Sequence, residues 1–352
     1  MDFLISSFME YRGNEVYSMK WDIRILVLVF ILLWALAWNA ALQGLPKPEP
    51  PEDGAGQAEE AAPEQDGTPD AGRLLRILHG GAVEEMSMGD YLQGVLRAEM
   101  PASFELEALK AQAIAARTYT LHKMAGGPIA NHPDADACDD INCCKAYKTA
   151  EEAAADWGGM ALYYEEKLER AIAETDGEAI LYDGEPILAV FFSSANGHTQ
   201  NAAAVWQSDL PYLQSVTSPE NEELVPNYYS VARFSPEEFR ALVLRAHPEA
   251  SLTGAPEGWI TDIARNDAGF VTSLRLGGIT VRGNELRSIL SLRSPSFTVD
   301  TEDGALVFHV TGYGHGVGMS QYGANALAME GLSAAEILEH YFPGAKVRGY
   351  TG

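Results

Sequence analysis

Glu99 is the residue of this sequence whose type and position are most suggestive of catalysis. The apolar spacing from Met88 onward predicts a helix that ends with this glutamate in its last turn, just before Met100 and Pro101. The negative end of the helix dipole and partial burial would both raise the pKa of its carboxyl group. A carboxyl group with a raised pKa is suited to act as a general acid.

A second group of candidates is a histidine and three cysteines that fall within 13 residues: His132, Cys138, Cys143 and Cys144. The odd number of cysteines leaves one thiol without an intrachain partner. Two interpretations are open. Cys138 pairs with one of the other cysteines in a disulfide, or all four residues form a closed tetrahedral zinc site with one nitrogen and three sulfur ligands. Such a zinc site would be structural, because it leaves no position for water.

A third group follows an apolar run at residues 187–192, which predicts a buried strand. Ser193, Ser194 and Asn196 come directly after it in a loop of small polar residues. Ser194 does not lie in a Gly-x-Ser-x-Gly elbow, which argues against a serine hydrolase. These side chains are better suited to hydrogen bonds with a substrate.

His315 and Tyr322 lie among closely spaced glycines, after a strand predicted at 305–310. This glycine density indicates a backbone that approaches a ligand closely or adopts positive φ. The spacing fits neither a P-loop nor a dinucleotide fingerprint. His315 either orients the reacting groups or is a structural histidine, and the sequence leaves both roles open.

The helices and strands expected around these residues together indicate an α+β fold. Asp90 and Gln93 have the spacing of a capping box near the start of the helix that ends at Glu99. An alanine-rich run then predicts a long helix through Leu121, and short strands are expected through 180–310. We expect a two-lobed domain with a substrate groove.

The N-terminal part predicts a membrane anchor and a tether. Residues 25–43 are apolar and just long enough to cross a bilayer as one helix, although a cleaved signal peptide is the alternative. Three basic residues before this segment predict that 1–24 lies in the cytoplasm. Residues 44–72 are acidic and proline-rich, which predicts a disordered linker, and 73–352 would form the folded domain outside the membrane.

Three blocks of the sequence resemble, in the same order, the signature of the stage II sporulation protein D family, also called the amidase-enhancer family. The first begins with Glu-Met-Pro at Glu99 and ends with Ala-Arg-Thr-Tyr at Tyr119. The second begins with Phe-Ser-Ser-Ala-Asn-Gly at Phe192, and the third is Gly-His-Gly-Val-Gly-Met-Ser-Gln-Tyr-Gly from Gly314. The similarity extends over roughly residues 73–350.

This resemblance implies a peptidoglycan lytic transglycosylase that cleaves MurNAc–GlcNAc bonds of peptide-stripped glycan during forespore engulfment. One carboxyl group suffices for that reaction, because the C6 hydroxyl of the muramic acid attacks its own anomeric carbon and gives a 1,6-anhydro product. The resemblance implies that Glu99 is the acid and base. It places Arg117, Ser193, Ser194 and Tyr322 in substrate-facing motifs.

The formal net charge of −26 makes nucleic acid an unsuitable partner. Peptide-stripped glycan carries a lactyl carboxylate on each muramic acid, so an acidic protein needs local positive charge to bind it. Lys110 and Arg117 lie seven residues apart and therefore nearly on one face of the long helix. We expect at least one of them to meet that carboxylate.

The resemblance also bears on cofactor, partners and location. Some members of the family bind zinc through a Cys and His cluster in this segment, which favours the zinc interpretation. The implied partners are an amidase similar to stage II sporulation protein P and a membrane scaffold similar to stage II sporulation protein M, at the mother-cell membrane facing the forespore.

The alternative function is a non-catalytic glycan-binding module that enhances an amidase. A zinc peptidase is disfavoured, because a sulfur-rich closed site lacks an open position and a nearby glutamate base.

Overall fold

The computed structural model describes residues 69–140, 143–206 and 209–351. These residues form an α+β arrangement of helices and several small sheets, as the sequence predicts. The expected membrane helix at 25–43, the segment before it and most of the expected linker lie outside the described residues. Among the helices that the structure describes, none combines the length and the apolar character of a membrane span.

The helices of the described residues are α1 (Pro69–Gly72), α2 (Met88–Glu99), α3 (Leu106–Ala125), α4 (Ala150–Trp157), α5 (Ala161–Ala173), α6 (Ala202–Trp206), α7 (Pro236–Ala246), α8 (Gly283–Leu290), α9 (Gln321–Met329) and α10 (Ala334–Tyr341). The strands are β1 (Leu74–His79), β2 (Ala82–Ser87), β3 (Ala137–Cys138), β4 (Glu178–Tyr182), β5 (Glu185–Pro186), β6 (Phe191–Phe192), β7 (Tyr229–Phe234), β8 (Ile260–Arg265), β9 (Val271–Leu276), β10 (Ile279–Arg282), β11 (Phe297–Glu302), β12 (Ala305–Thr311), β13 (Met319–Ser320) and β14 (Lys346–Gly349). Short 3-10 turns lie at Gly158–Met160 and Pro256–Gly258.

Helix α2 has the bounds that the sequence predicts, but its N-cap is a different residue. Ser87 Oγ accepts a hydrogen bond from the backbone N–H of Asp90 at 3.1 Å, so Ser87 caps the helix and Asp90 lies in its first turn. The helix ends at Glu99 because Met100 is extended, with φ −128° and ψ 137°, as a residue before proline prefers. The carboxyl group of Glu99 is therefore mounted at the C-terminal end of α2.

Helix α3 confirms the predicted alanine-rich helix and lies in the larger of two hydrophobic clusters. Its small side chains let other elements approach closely, and α5, α9, α10 and β4 all pack on it. Residues from both ends of the described chain meet there, among them Leu109, Ile337 and Leu338, which are fully buried. The C-terminal helices therefore hold the third sequence block against the first.

The smaller hydrophobic cluster is built from residues between Phe239 and Val310. Two three-stranded sheets, β10-β9-β8 and β11-β12-β7, supply it together with α7 and α8. Strand β12 is central in its sheet and pairs antiparallel with β11 and β7, which confirms the strand predicted at 305–310.

The strand predicted at 187–192 is shorter than expected. Only β6 forms, and it pairs in parallel with β13 through Phe191 with Met319 and Phe192 with Ser320. The preceding residues make tight local turns instead, with the N–H groups of Ala189 and Val190 bonded two residues back. The short parallel pair joins the second sequence block to the third.

Candidate active site

The three sequence blocks meet around Tyr322. Its ring packs edge to face on Phe104, which follows Glu99 in the first block, with 4.8 Å between centroids. Its backbone N–H donates to the carbonyl of Ser193 in the second block at 3.0 Å. Residues far apart in sequence thus line one region of the fold.

Glu99 is partly buried at the end of α2. Its Oε1 accepts a hydrogen bond from the backbone N–H of Ala146 at 3.1 Å. Burial raises the pKa of the carboxyl group, whereas the positive charge of Lys145 and the Ala146 hydrogen bond lower it, and the net result is a raised pKa. The direction agrees with the sequence prediction, and desolvation is the main cause.

Lys145 is a candidate residue that the sequence analysis missed. Its ammonium nitrogen lies 3.6 Å from the ring centroid of Phe191 and 4.1 Å from that of Tyr119, and the residue is 8% exposed. Burial lowers the pKa of this group to about 8, while Glu99 opposes that shift. Two aromatic faces therefore hold a cation beside the candidate acid.

The four predicted metal ligands converge. The ligand atoms of His132, Cys138, Cys143 and Cys144 all lie within 4.8 Å of one another, and no disulfide joins these three cysteines. Tetrahedral zinc with sulfur ligands needs separations of about 3.8 Å, and Cys144 Sγ lies 3.3 Å from His132 Nε2. His132 Nδ1 faces the carbonyl of Ala135 at 3.0 Å, which leaves Nε2 for a metal. The cluster can hold a metal ion, and chain continuity places Lys145 and Ala146 directly after its last ligand.

Arg117 is not placed as expected. It is 2% exposed, and its Nε lies 2.9 Å from Oδ1 of Asp70, while Nη1 donates to the carbonyl of Glu178 at 3.2 Å. Asp70 belongs to α1, within the segment that the sequence analysis assigned to the linker. The guanidinium group therefore ties α1 to α3, and the expectation that Arg117 meets substrate is wrong for this arrangement because no face of it reaches solvent.

Lys110 is also engaged by carboxylates of the protein. Its ammonium group lies 2.8 Å from Glu107 and 2.5 Å from Glu174. A cation already shared by two carboxylates has little net charge to offer an anionic glycan. Lys110, like Arg117, is therefore already paired with carboxylates of the protein.

The polar residues of the second block are held by backbone and side-chain bonds. Ser194 exchanges backbone hydrogen bonds with Tyr313 at 3.0 and 2.8 Å, and its hydroxyl is buried without a partner among the described residues. Asn196 Nδ2 donates to the carbonyl of Ala268 at 2.9 Å and to the hydroxyl of Ser296 at 2.8 Å. Asn196 therefore braces the loop, whereas Ser193 keeps part of its surface exposed.

Glu220 is a second buried carboxylate that the sequence analysis did not single out. It is 3% exposed, accepts the backbone N–H of Ala195 at 2.6 Å and bonds to the hydroxyl of Ser320. These contacts fasten the second block to the third. Because its oxygens face the protein interior, Glu220 holds the loop rather than contacting solvent.

His315 is a neutral ring that supports an exposed tryptophan. Its Nδ1 accepts the backbone N–H of Val317 at 3.1 Å, and its ring lies 5.6 Å from Phe192 and 5.3 Å from Trp206. Burial lowers the pKa of the imidazole to about 3, and the charges of Lys145 and of an arginine in α8 add to that shift. Of the two roles left open by the sequence, this geometry favours the structural histidine, which here holds Trp206 in position.

Comparisons with known proteins identify the family of this chain. A family model described as stage II sporulation protein matches residues 79–182. The chain is 36% identical over 267 residues to "Stage II sporulation protein D" of Bacillus amyloliquefaciens, covering 76% of this chain and 75% of that protein. It is 36% identical over 269 residues to the protein of the same name from Bacillus subtilis (strain 168), covering 76% of each. It is 27% identical over 306 residues to "Amidase enhancer" of the same organism, covering 74% of this chain but 40% of that protein.

Proposed function

The chain belongs to the stage II sporulation protein D family, and on that premise we propose that it is a lytic transglycosylase that cleaves MurNAc–GlcNAc bonds of peptide-stripped peptidoglycan. The observation that carries the proposal is Glu99, a partly buried carboxyl group with a raised pKa beside the ammonium group of Lys145. A raised pKa keeps the proton on the acid until it is needed, and an adjacent cation stabilises the carboxylate that remains after the transfer.

The reaction needs one proton donor that then acts as a base. Glu99 donates its proton to the glycosidic oxygen while the bond to the anomeric carbon of the muramic acid breaks. The C6 hydroxyl of the same sugar then attacks that carbon, and its proton passes to the Glu99 carboxylate. The products are a GlcNAc end with a free hydroxyl and a 1,6-anhydro-muramic acid end, no water is consumed, and Glu99 regains its starting state.

Glu220 bears on the choice between this reaction and hydrolysis. A hydrolase needs a second carboxyl group that activates water or attacks the sugar. The oxygens of Glu220 are buried, and one of them is engaged by Ala195 and Ser320. Its position supports a structural role and so favours the single-carboxyl reaction.

The His132, Cys138, Cys143 and Cys144 cluster is proposed to hold a structural zinc ion. The mutual separation of the ligand atoms and the orientation of His132 support that assignment. Zinc bound there supplies folding free energy rather than catalysis, because the four protein ligands complete its tetrahedron. These ligands fix the backbone that carries Lys145 and the Ala146 N–H against Glu99.

We propose the domain organisation and location that the sequence predicts: a cytoplasmic segment at 1–24, a membrane helix at 25–43, a linker, and a folded domain outside the membrane. Because α1 begins at Pro69, we place the end of the linker before that residue. The two hydrophobic clusters support a two-lobed domain with the substrate groove at Glu99. An amidase that strips the stem peptides and a membrane scaffold are the proposed partners.

A second candidate function is a glycan-binding module that enhances an amidase without cleaving glycan. The 27% identity to a protein named amidase enhancer favours it. One experiment separates the two: the full-length chain, purified in a mild detergent, is incubated with glycan from which an amidase has removed the stem peptides. Release of fragments with 1,6-anhydro ends by this chain alone supports the transglycosylase, whereas binding without release supports the enhancer.

A further inference from the structure

A cavity beside His315 contains chemistry that the proposed reaction does not use. It has a volume of about 470 Å³, and its walls include Trp206, Arg282, Asn284 and Arg287. Val205, Glu285 and Ser288 complete its lining. Ligand pockets commonly have volumes of about 300–1,000 Å³, so a single sugar residue fits.

The two arginines of this cavity lack a carboxylate partner within the described part of the chain. Arg287 Nε donates to the carbonyl of Arg293 at 3.1 Å, which leaves its terminal nitrogens for other acceptors. The lining carboxylate of Glu285 lies 2.9 Å from His247 Nε2 instead and is also bonded by the backbone N–H of Arg282. The guanidinium groups therefore remain available for a carboxylate from outside the protein.

The cavity also contains an aromatic platform and an unused acceptor. Trp206 is 40% exposed, and His315 fixes one side of its ring. A partly exposed indole ring suits the apolar face of a pyranose ring. Asn284 also lines the cavity, and its Oδ1 is buried with no hydrogen-bond partner among the described residues.

The position of His315 links this cavity to the candidate acid. The charges of Lys145 and Arg287 both act on its imidazole ring. Lys145 in turn acts on Glu99. His315 lines the cavity, and its ring contacts Phe192 at 5.6 Å between centroids. The neighbouring Phe191 contacts the ammonium group of Lys145 at 3.6 Å, which connects the cavity to the surroundings of Glu99.

We propose that this cavity binds a muramic acid residue without a stem peptide, with Trp206 against the sugar ring and Arg287 and Arg282 on its lactyl carboxylate. This inference rests on the proposed function and names the residues that recognise the substrate. A stem peptide converts the lactyl carboxylate to an amide and removes the charge, so the two arginines would select stripped glycan. The cavity thereby takes the role that the sequence assigned to Lys110 and Arg117.

The test measures binding of the full-length chain to stripped and to peptide-bearing glycan, both in the Glu99→Gln background so that no cleavage occurs. The variants are Arg287→Gln and Arg282→Glu, and the second changes a residue whose side chain is exposed. Arg348→Glu is the matched control, because it reverses an exposed arginine of β14 that does not line the cavity.

We expect each cavity variant to weaken binding of stripped glycan by about tenfold or more, the value of a charge-assisted hydrogen bond. Binding of peptide-bearing glycan and the control should change little. The proposal is overturned if folded Arg282→Glu and Arg287→Gln bind stripped glycan as tightly as the parent, or if both glycans weaken equally. Cleavage is measured separately with Glu99 intact, so selective binding without anhydro products would refute the proposed reaction and leave this binding site standing.

Discussion

Replacement of Arg117 by methionine tests whether this residue is structural. The buried guanidinium group is paired with Asp70 and also bonds to the carbonyl of Glu178. Methionine fills similar space but leaves the carboxylate of Asp70 buried and unpaired. Removing one partner of a buried ion pair costs about 3–5 kcal/mol, so we expect the free energy of unfolding to fall by that amount. The free energy of unfolding of native proteins is about 5–15 kcal/mol, so the variant should still fold at low temperature.

The assay is urea unfolding of the full-length chain, followed by intrinsic fluorescence, for Arg117→Met, Asp70→Leu and the double variant. Replacement of a buried ion pair by apolar groups of similar volume is often nearly neutral, so the double variant should recover most of the lost stability. Glycan binding by the folded variants should match that of the parent. The reasoning is refuted if Arg117→Met keeps its stability but loses glycan binding, because the residue would then contact substrate as the sequence suggested.

Three further predictions concern the surroundings of the acid, the metal cluster and the packing. Lys145→Met should raise the pKa of Glu99 further, because a charge that lowers it is removed, so the alkaline fall in kcat/KM should move to higher pH; an unchanged pH profile would contradict the electrostatic role. The purified chain should contain about one zinc per molecule by elemental analysis. Cys144→Ser should lose the metal and melt at a lower temperature, because one of the four ligands is removed. Retained zinc in that variant would contradict the ligand assignment. Gly323→Ala should lower the free energy of unfolding by about 1–3 kcal/mol, because the added Cβ would overlap three buried side chains. Gly349→Ala is the control, because a Cβ there has no atom within 4 Å and should leave stability unchanged. Equal melting temperatures of the two variants would argue against this packing.

Local signals allowed α2, α3 and β12 to be predicted closely. Helix α2 ends where a residue before proline must become extended, and α3 follows from a long alanine-rich run. The strand predicted at 187–192 is too long, because apolar composition predicts burial but a strand also needs a hydrogen-bonding partner. Only β6 has one, in β13.

The candidate site was predictable where it depends on a motif and not where it depends on long-range contacts. Helical spacing put Arg117 and Lys110 on one face but could not tell that this face is turned toward Asp70 and other carboxylates. Lys145 carries no motif of its own, and its role depends on Phe191 and Tyr119, which only the fold brings to it. Buried ion pairs and aromatic contacts of this kind are properties of tertiary packing.

The most direct test of the central claim is cleavage of stripped glycan in water enriched in heavy oxygen, with the parent chain and Glu99→Gln compared by mass spectrometry. If Glu99 is the acid and base of a lytic transglycosylase, the parent releases 1,6-anhydro ends that carry no oxygen from the solvent, and the variant releases none. Reducing ends labelled with heavy oxygen, or unchanged cleavage by the folded Glu99→Gln variant, would contradict it.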